Sequence, residues 1–263
     1  MAIATTPEIA AQPTGKARPL VSFVLPAYNE EDRLPSGLAR VIAFLSGQDF
    51  ESEIIVADDG SRDRTADIVR AHMAVVRPKV SLRLLQHETN QGKGAAIRTG
   101  MLGASGGFVF FMDADLASPP EESLKLLERL RDGSPVVAGS RIQLDGSDMR
   151  ASQPAQRRMI GKIFTLMRKG LRVVPDIDDT QCPMKGFQRE AARAIFERQR
   201  LSGWIFDAEV LYIARALGFR VVTVPVEWAH VDGSRLRVRP SQVWEVLRDL
   251  VRLRLSNPAQ IAS

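Results

Sequence analysis

The chain has 263 residues, 44% hydrophobic and 25% charged, the balance of a soluble globular protein long enough to bury a sizeable core. Lys and Arg exceed Asp and Glu by 36 to 31, a surplus concentrated after residue 150 that suits nucleic acid, anionic lipid or phosphate-bearing substrates. Aromatic residues are few and not interleaved with the basic ones, which argues against nucleic acid.

The single cysteine, Cys182, rules out an internal disulfide and fits a reducing compartment. It reads as a small packing residue or, less simply, as a nucleophile. His72, His87 and His230 show no metal-ligand spacing, so zinc is not expected. The longest apolar runs are strand-sized, short of the ~20 residues that span a bilayer. Residues 1–19 lack an apolar signal core and read as a disordered leader.

The first strand is expected at Val21–Leu25, ending in "PAYNEE", with a helix at Leu34–Leu45. A strand at Glu53–Ala57 runs into "DDGSRDRT" and a helix at Thr65–Met73. Next come Ser81–Gln86, "NQGKG" and a helix at Gly94–Ala104. Phe108–Met112 ends in "DADLASPP" before a helix at Glu121–Arg131, and Pro135–Gly139 ends in "GSR". Near-continuous apolar strands, each followed by a helix, indicate an α/β fold with a parallel sheet covered on both faces. In such sheets ligands bind beyond the carboxyl ends of the strands. Polar or glycine-rich chemistry at consecutive strand ends therefore describes a site.

After Arg141, Gln143–Pro154 reads as a flexible connection. The helix that follows carries Ile160, Ile163, Phe164, Met167 and Leu171 at helical spacing, with Arg157, Arg158, Lys162, Arg168 and Lys169 on other faces. "DDTQCPMKGFQRE", a helix at Arg189–Glu197, "WIFDAEVLYIARALG" and a strand at Arg220–Val226 complete one domain over residues 20–240. Residues 241–263 form an amphipathic, arginine-rich helix, Ser241–Leu255, and a tail.

Asp113 and Asp115 follow an apolar strand, where unpaired charge is strongly disfavoured. Carboxylates at i and i+2 across a strand-to-loop turn converge on one hard divalent ion, Mg²⁺ or Mn²⁺, which takes substrate phosphates as further ligands. An Asp-capped turn before "SPPEE" is the plainer reading. Asp58 and Asp59 can accept hydrogen bonds from a base or ribose, or cap a βα turn. Lys93, between glycines at the start of a helix, suits an anion, although "NQGKG" is neither a Walker A loop nor G-x-G-x-x-G. Asp207 and Glu209 in "FDAEV" suit a helix N-terminus, where acids are favoured.

Taken together, "VSFVLPAYNEE", "IIVADDGSRDRT", "NQGKGAAIRTGM", "FMDADLA" and "VVAGSR" resemble, in order and spacing, the family 2 glycosyltransferases of the GT-A fold. "DTQCPMKGFQREAARAIF", "WIFDAEVLYIA" and "VPVEWAHVDGSRLRV" are similar to the dolichyl- and polyprenyl-phosphate β-glucosyltransferases, with the dolichol-phosphate mannose synthases as neighbours. The resemblance covers about residues 20–240. It implies a single GT-A domain, a mostly parallel sheet flanked by helices. A nucleotide sugar would lie on the strand ends, with Pro26, Tyr28 and Glu30 around base and ribose and Asp58 and Asp59 on the base. Asp113 and Asp115 would hold a Mg²⁺ or Mn²⁺ ion that neutralises the leaving nucleotide.

An inverting transferase ordinarily needs a carboxylate base to activate an acceptor hydroxyl. A polyprenyl phosphate, with a second pKa near ~6, is already mostly dianionic and attacks unaided. The enzyme then supplies cationic positioning, for which Arg141, Arg157, Arg158, Lys185 and Arg235 are candidates. The resemblance also implies that Asp179, Gln181, Asp207 and Glu209 shape the sugar and acceptor side, touching sugar hydroxyls or a metal-bound water.

The expected activity is therefore transfer of glucose from UDP-glucose to a polyprenyl phosphate, with mannose from GDP-mannose as the runner-up. A receiver domain also uses an acidic pair, but after its first strand and within ~120 residues. A catalytically dead sugar-nucleotide-binding module would not need intact acidic sites. A cytoplasmic protein held peripherally at the membrane by its basic amphipathic helices is expected, as is possible homo-oligomerisation.

Overall fold

A computed structural model describes residues 18–74, 78–230 and 240–256. Residues 1–17 of the expected leader, and Arg235, lie outside them. One seven-stranded sheet organises the chain in the order β3-β2-β1-β4-β6-β5-β7. Its strands are β1 (Val21–Ala27), β2 (Ser52–Asp58), β3 (Val80–Gln86), β4 (Phe108–Phe111), β5 (Val136–Ser140), β6 (Lys185–Gln188) and β7 (Val221–Pro225). The helices are α1 (Leu34–Ser46), α2 (Thr65–Met73), α3 (Lys93–Gly103), α4 (Ser123–Arg131), α5 (Ala155–Gly170), α6 (Arg189–Arg198), α7 (Phe206–Ala216) and α8 (Pro240–Leu255).

Strand alternation divides the core into two layers. Val24, Ile55, Val109 and Phe111 point to one face, where α3, α6, α7 and α8 supply Ile97, Phe196, Phe206 and Leu250. Phe23, Leu25, Ile54, Val56 and Phe110 point to the other, against Leu38 and Val41 of α1, Val69 of α2 and Leu126 of α4. Each such buried side chain stabilises the fold by about 1.5–3 kcal/mol. β2 is buried along its whole length, so the charge of Glu53 must be met within the protein. Ser22 and Ser105 donate to it, and Arg83 pairs with it at 2.8 Å.

Register sets the edge on which function sits. Val21 of β1 lies opposite both Ser52 of β2 and Phe108 of β4, all running parallel. The residues that follow these strands, Tyr28, Asp59 and Asp113, therefore emerge together.

The sheet is mostly parallel, as expected, with one departure. β6 runs antiparallel between β4 and β5. Its four residues, "KGFQ", carry a lysine and a glycine and give no apolar strand signal. The expected helix at Glu121–Arg131 begins instead as a 3-10 turn, Pro120–Glu122, which passes into α4. Gln143–Pro154, read as flexible, is tied back by a bridge from Asp148 to Ile142 just before it and holds a 3-10 turn at Met149–Ser152 capped by Asp148. α8 turns an apolar face inward, burying Leu250 and Leu253.

Candidate active site

A cavity of about 430 Å³ opens at the carboxyl ends of β1, β2 and β4. Pro26, Tyr28, Glu30, Asp59, Lys93, Asp113 and Asp115 line it, so the structure brings together all the expected donor-side residues except Asp58. Tyr28 is 41% exposed, an aromatic face open to the cavity. Asn29 and Leu116, flanking the cavity, hold positive φ angles of 53° and 51°. Asn tolerates that conformation; a leucine there marks a turn imposed by its surroundings.

Asp58 is fully buried, and its carboxylate accepts from the backbone of Ser61 (3.0 Å) and from Gln86 Nε2 (2.9 Å). It serves the turn reading and does not reach the cavity. Asp59 accepts from the backbone N–H groups of Gln91 (2.9 Å) and Gly92 (2.7 Å) and contacts His87 Nδ1 at 2.8 Å. A carboxylate oxygen accepts, so His87 donates through Nδ1, and its Nε2 lies 2.8 Å from Thr99 Oγ1. Asp59 thus ties the "NQGKG" loop to the end of β2 while one edge still faces the cavity. Gly92 makes that loop possible. Its φ is +104°, and a Cβ there would lie 2.5 Å from the Ser202 carbonyl oxygen.

Asp113 Oδ1 lies 2.5 Å from the Lys93 ammonium, yet no donor among the described residues is aligned to hydrogen-bond with that shielded oxygen. The Asp115 carboxylate accepts from the backbone of Ala117 at 3.1 Å. Burial, reinforced by the negative charge of Asp113, pushes the Asp115 carboxyl above its ordinary range. Burial alone would lower the Lys93 pKa, but Asp113 and Asp207 outweigh it and hold the ammonium charged. Two hard oxygen donors in mutual repulsion on one cavity wall, one oxygen lacking an aligned donor, fit a small divalent cation. Among the described residues no third His, Cys, Asp or Glu joins them. Remaining ligand positions would fall to substrate oxygens and water.

The residues expected on the sugar and acceptor side form paired groups. Asp179 accepts from Arg141 through the backbone N–H (2.9 Å), Nε (2.8 Å) and Nη2 (2.6 Å). Burial would raise the Asp179 pKa, but Arg141 holds it down to about 2. Burial opposes the Arg141 charge, and the bond to Asp179 reverses that and raises its pKa. The guanidinium stacks 5.6 Å above the centre of the Trp228 ring, with Nη1 outside the pair.

Lys185 corrects an expectation. It is fully buried on β6, bonded to Asp207 (2.5 Å) and to the Cys182 carbonyl (2.8 Å), so it presents no open cation to an acceptor. Asp207, at the start of α7, is correspondingly committed to Lys185. Glu209 accepts from the backbone of Arg200 (3.0 Å) and Leu201 (2.8 Å), holding the loop before α7 rather than facing a sugar. Burial raises its pKa to about 7. Gln181 Nε2 is buried without a hydrogen-bond partner among the described residues. Arg158 is exposed on α5 and caps the Ala151 carbonyl at 2.9 Å, and Arg157 is half-buried on the same helix. Cys182 is fully buried and its thiol is pushed up to about 12 by that burial, which removes the nucleophile reading.

Several site residues escaped sequence reasoning. Arg33 lines the cavity and grips Glu30 in a two-pronged ion pair, with Nε at 2.7 Å. Trp204, 49% exposed, also lines the cavity, and Lys93 lies 5.9 Å from its ring centre. Arg150 approaches Asp179 at 3.8 Å and joins the Arg141 pair. The one available signal was position: Arg33 lies two residues beyond "VSFVLPAYNEE", and Trp204 opens the quoted "WIFDAEVLYIA".

The mostly parallel α/β sheet with an acidic pair in a cavity at its strand ends is the arrangement of a GT-A-like fold. The model of glycosyl transferase family 2 matches residues 22–196, and the chain belongs to that family. The dolichyl-phosphate beta-glucosyltransferase of Dictyostelium discoideum is 37% identical over 245 residues, 89% of this chain and 73% of that protein. The human protein of the same description is 32% identical over 269 residues, covering 95% and 78%. Among solved structures, glucosyl-3-phosphoglycerate synthase from Mycobacterium tuberculosis, in complex with UDP, shares the fold with a TM-score of 0.61 at 20% identity. That likeness covers 92% of this chain and 80% of the synthase.

Proposed function

We propose that this hexosyltransferase moves glucose from UDP-glucose to a polyprenyl phosphate with inversion at the anomeric carbon. The observation that carries the acceptor class is the commitment of the cavity's carboxylates. Glu30 is held by Arg33, Asp59 by His87, Gln91 and Gly92, and Asp113 by Lys93. Asp179 and Asp207 beyond them are held by Arg141 and Lys185. Of the carboxylates that line the cavity, that leaves Asp115 as the one without a cationic or loop-binding partner, and it is placed beside Asp113 for a metal rather than as a general base. An acceptor that is already anionic does not require one.

On the donor side, Tyr28 offers a stacking face for the base, and the remaining edge of Asp59 accepts from a base or ribose N–H or O–H. Asp113 and Asp115 are the residues that would hold Mg²⁺ or Mn²⁺, and a bound ion there supplies charge neutralisation to the leaving diphosphate. A neighbouring fold, the Mycobacterium tuberculosis synthase, has been solved with Mn²⁺ and UDP, which supports this assignment. Lys93 adds a fixed positive charge beside the same oxygens. On the acceptor side, Arg141 through Nη1 and the unpartnered Gln181 amide orient phosphate and sugar, with Arg157 and Arg158 further out. The dolichyl-phosphate glucosyltransferases among the relatives support both glucose and a lipid phosphate.

The test is product analysis with UDP-glucose or GDP-mannose and Mn²⁺, offering polyprenyl phosphate, free polyprenol and simple sugars. Glucosyl polyprenyl phosphate is expected, and Asp115→Asn should abolish its formation while the protein remains folded. Transfer confined to hydroxyl acceptors, or normal turnover in Asp115→Asn, refutes the reading. A preference for GDP-mannose replaces the donor.

A further inference from the structure

The segments α5 and α8 are both basic and amphipathic, but the fold treats them differently. α8 buries Leu250 and Leu253 against α7 and the sheet. Along the sixteen residues of α5, Arg168 is the one buried side chain. Arg168 donates to the carbonyls of Val173 (2.8 Å), Val174 and Ile177 (2.5 Å), so a polar anchor holds the helix end to the stretch leading to Asp179. Phe164 and Met167 add a partial apolar contact with the core.

The opposite side of α5 is uncovered. Met159, Ile163 and Leu166 are 59%, 48% and 73% exposed. At i, i+4 and i+7 they form one apolar stripe. Arg158, Lys162 and Lys169 run beside it at i, i+4 and i+11, Lys169 also pairing with the exposed Asp178. The helix sequence, "AQRRMIGKIFTLMRKG", contains no acidic residue. An apolar stripe bordered by a purely cationic row is the pattern of a helix lying in a lipid interface, its long cations reaching back to the headgroups. A second copy of the same face would set one cationic row against another, so charge complementarity selects an anionic surface instead.

We infer that α5 is a membrane-docking face that rests its Met159–Ile163–Leu166 stripe on an anionic bilayer. The inference deepens the acceptor reading and rests on it for the reason a bilayer is needed. α5 lies in the chain between Arg141 and Asp179, so docking there brings the acceptor side of the site to the surface that holds a lipid phosphate.

The experiment is co-sedimentation of the full chain with phosphatidylcholine vesicles, with and without phosphatidylglycerol, in the absence of any polyprenyl phosphate. Binding is expected to the anionic vesicles only and to weaken with salt. Lys162→Glu should lower partitioning at least about fivefold, from ~1 kcal/mol per cation near such a surface. Ile163→Glu and Leu166→Glu should lower it further while thermal unfolding and glucose transfer to a short, water-soluble prenyl phosphate stay unchanged. Failure of the wild-type chain to bind anionic vesicles, or wild-type binding by both stripe variants, overturns the inference. So does Ile163→Glu converting a dimer to a monomer without altering vesicle binding, which would assign the stripe to a second copy. If vesicle binding behaves as stated but no prenyl phosphate is glucosylated, the docking face stands and the acceptor reading falls.

Discussion

Replacing Asp179 by Asn should be among the costliest single changes at the site. The side chain is 1% exposed and accepts three hydrogen bonds from Arg141, two of them from the guanidinium. Its pKa falls from 3.8 to about 2 on folding. At ~1.4 kcal/mol per unit, that depression corresponds to roughly 2.5 kcal/mol of native-state stability. Because the folded pKa is the lower one, this contribution is complete above pH ~4 and is lost as pH falls through about 2. Asn also leaves the Arg141 charge buried without a counter-ion, and breaking such pairs costs about 3–5 kcal/mol. A loss of roughly 2–5 kcal/mol at pH 7 is therefore expected in urea unfolding. The difference between wild-type and variant stabilities should shrink between pH 4 and pH 2. Turnover should also show a raised KM for the lipid phosphate, since Arg141 loses its orienting partner. A variant within ~0.5 kcal/mol of wild type, with a flat difference curve, would refute the argument.

Two further substitutions test the loops around the cavity. Gly92→Ala places a Cβ 2.5 Å from the Ser202 carbonyl at φ +104°, so a loss of about 1–3 kcal/mol and weaker UDP binding by calorimetry are expected. An unchanged UDP affinity would detach this loop from the donor site. For Glu209, whose pKa rises on folding from 4.5 to about 7, the sign is opposite to that of Asp179. The charged form is the disfavoured one, so wild-type stability should decline as pH rises from about 4.5 to 7 and level off above, by up to ~3 kcal/mol. Glu209→Gln should flatten that decline, and an identical pH profile would remove Glu209 as its source.

The donor half of the site was legible because it is written locally. Apolar runs ending in acids or glycines mark parallel strands, and register brings their ends to one edge without any long-range information. The acceptor half was less legible because its residues act in pairs far apart in the chain. Arg141 and Asp179 are 38 positions apart, and Lys185 and Asp207 are 22 apart. Nothing in "KGFQ" signals a strand, since a lysine is tolerated inside a sheet only when a partner such as Asp207 arrives from another element. Asp58 and Asp59 look equivalent in sequence. One residue of strand alternation sends the first into the turn and the second towards the cavity. α5 and α8 are both basic and amphipathic, and tertiary packing decides how far each joins the core: α8 buries Leu250 and Leu253, whereas α5 contributes only the partly buried Phe164 and Met167.

The charges behind the cavity form an alternating series, and the order has a chemical consequence. Lys185 pairs with Asp207; Asp207 acts on Lys93; Lys93 contacts Asp113, which repels Asp115. Asp113 and Asp115 would hold a divalent ion, and with Asp113 so engaged Lys93 would be balanced by the negative charge of a donor diphosphate beside it. Burial pushes the Asp207 carboxyl up and the neighbouring Lys185 ammonium opposes that shift; in its charged form Asp207 favours the ammonium of Lys93. With a neutral residue at position 207, burial would press the Lys93 ammonium to lose its proton whenever Asp113 was engaged elsewhere. The Lys185–Asp207 pair, expected to touch the acceptor, therefore bears on the cavity at one remove, through the electrostatic pull of Asp207 on Lys93.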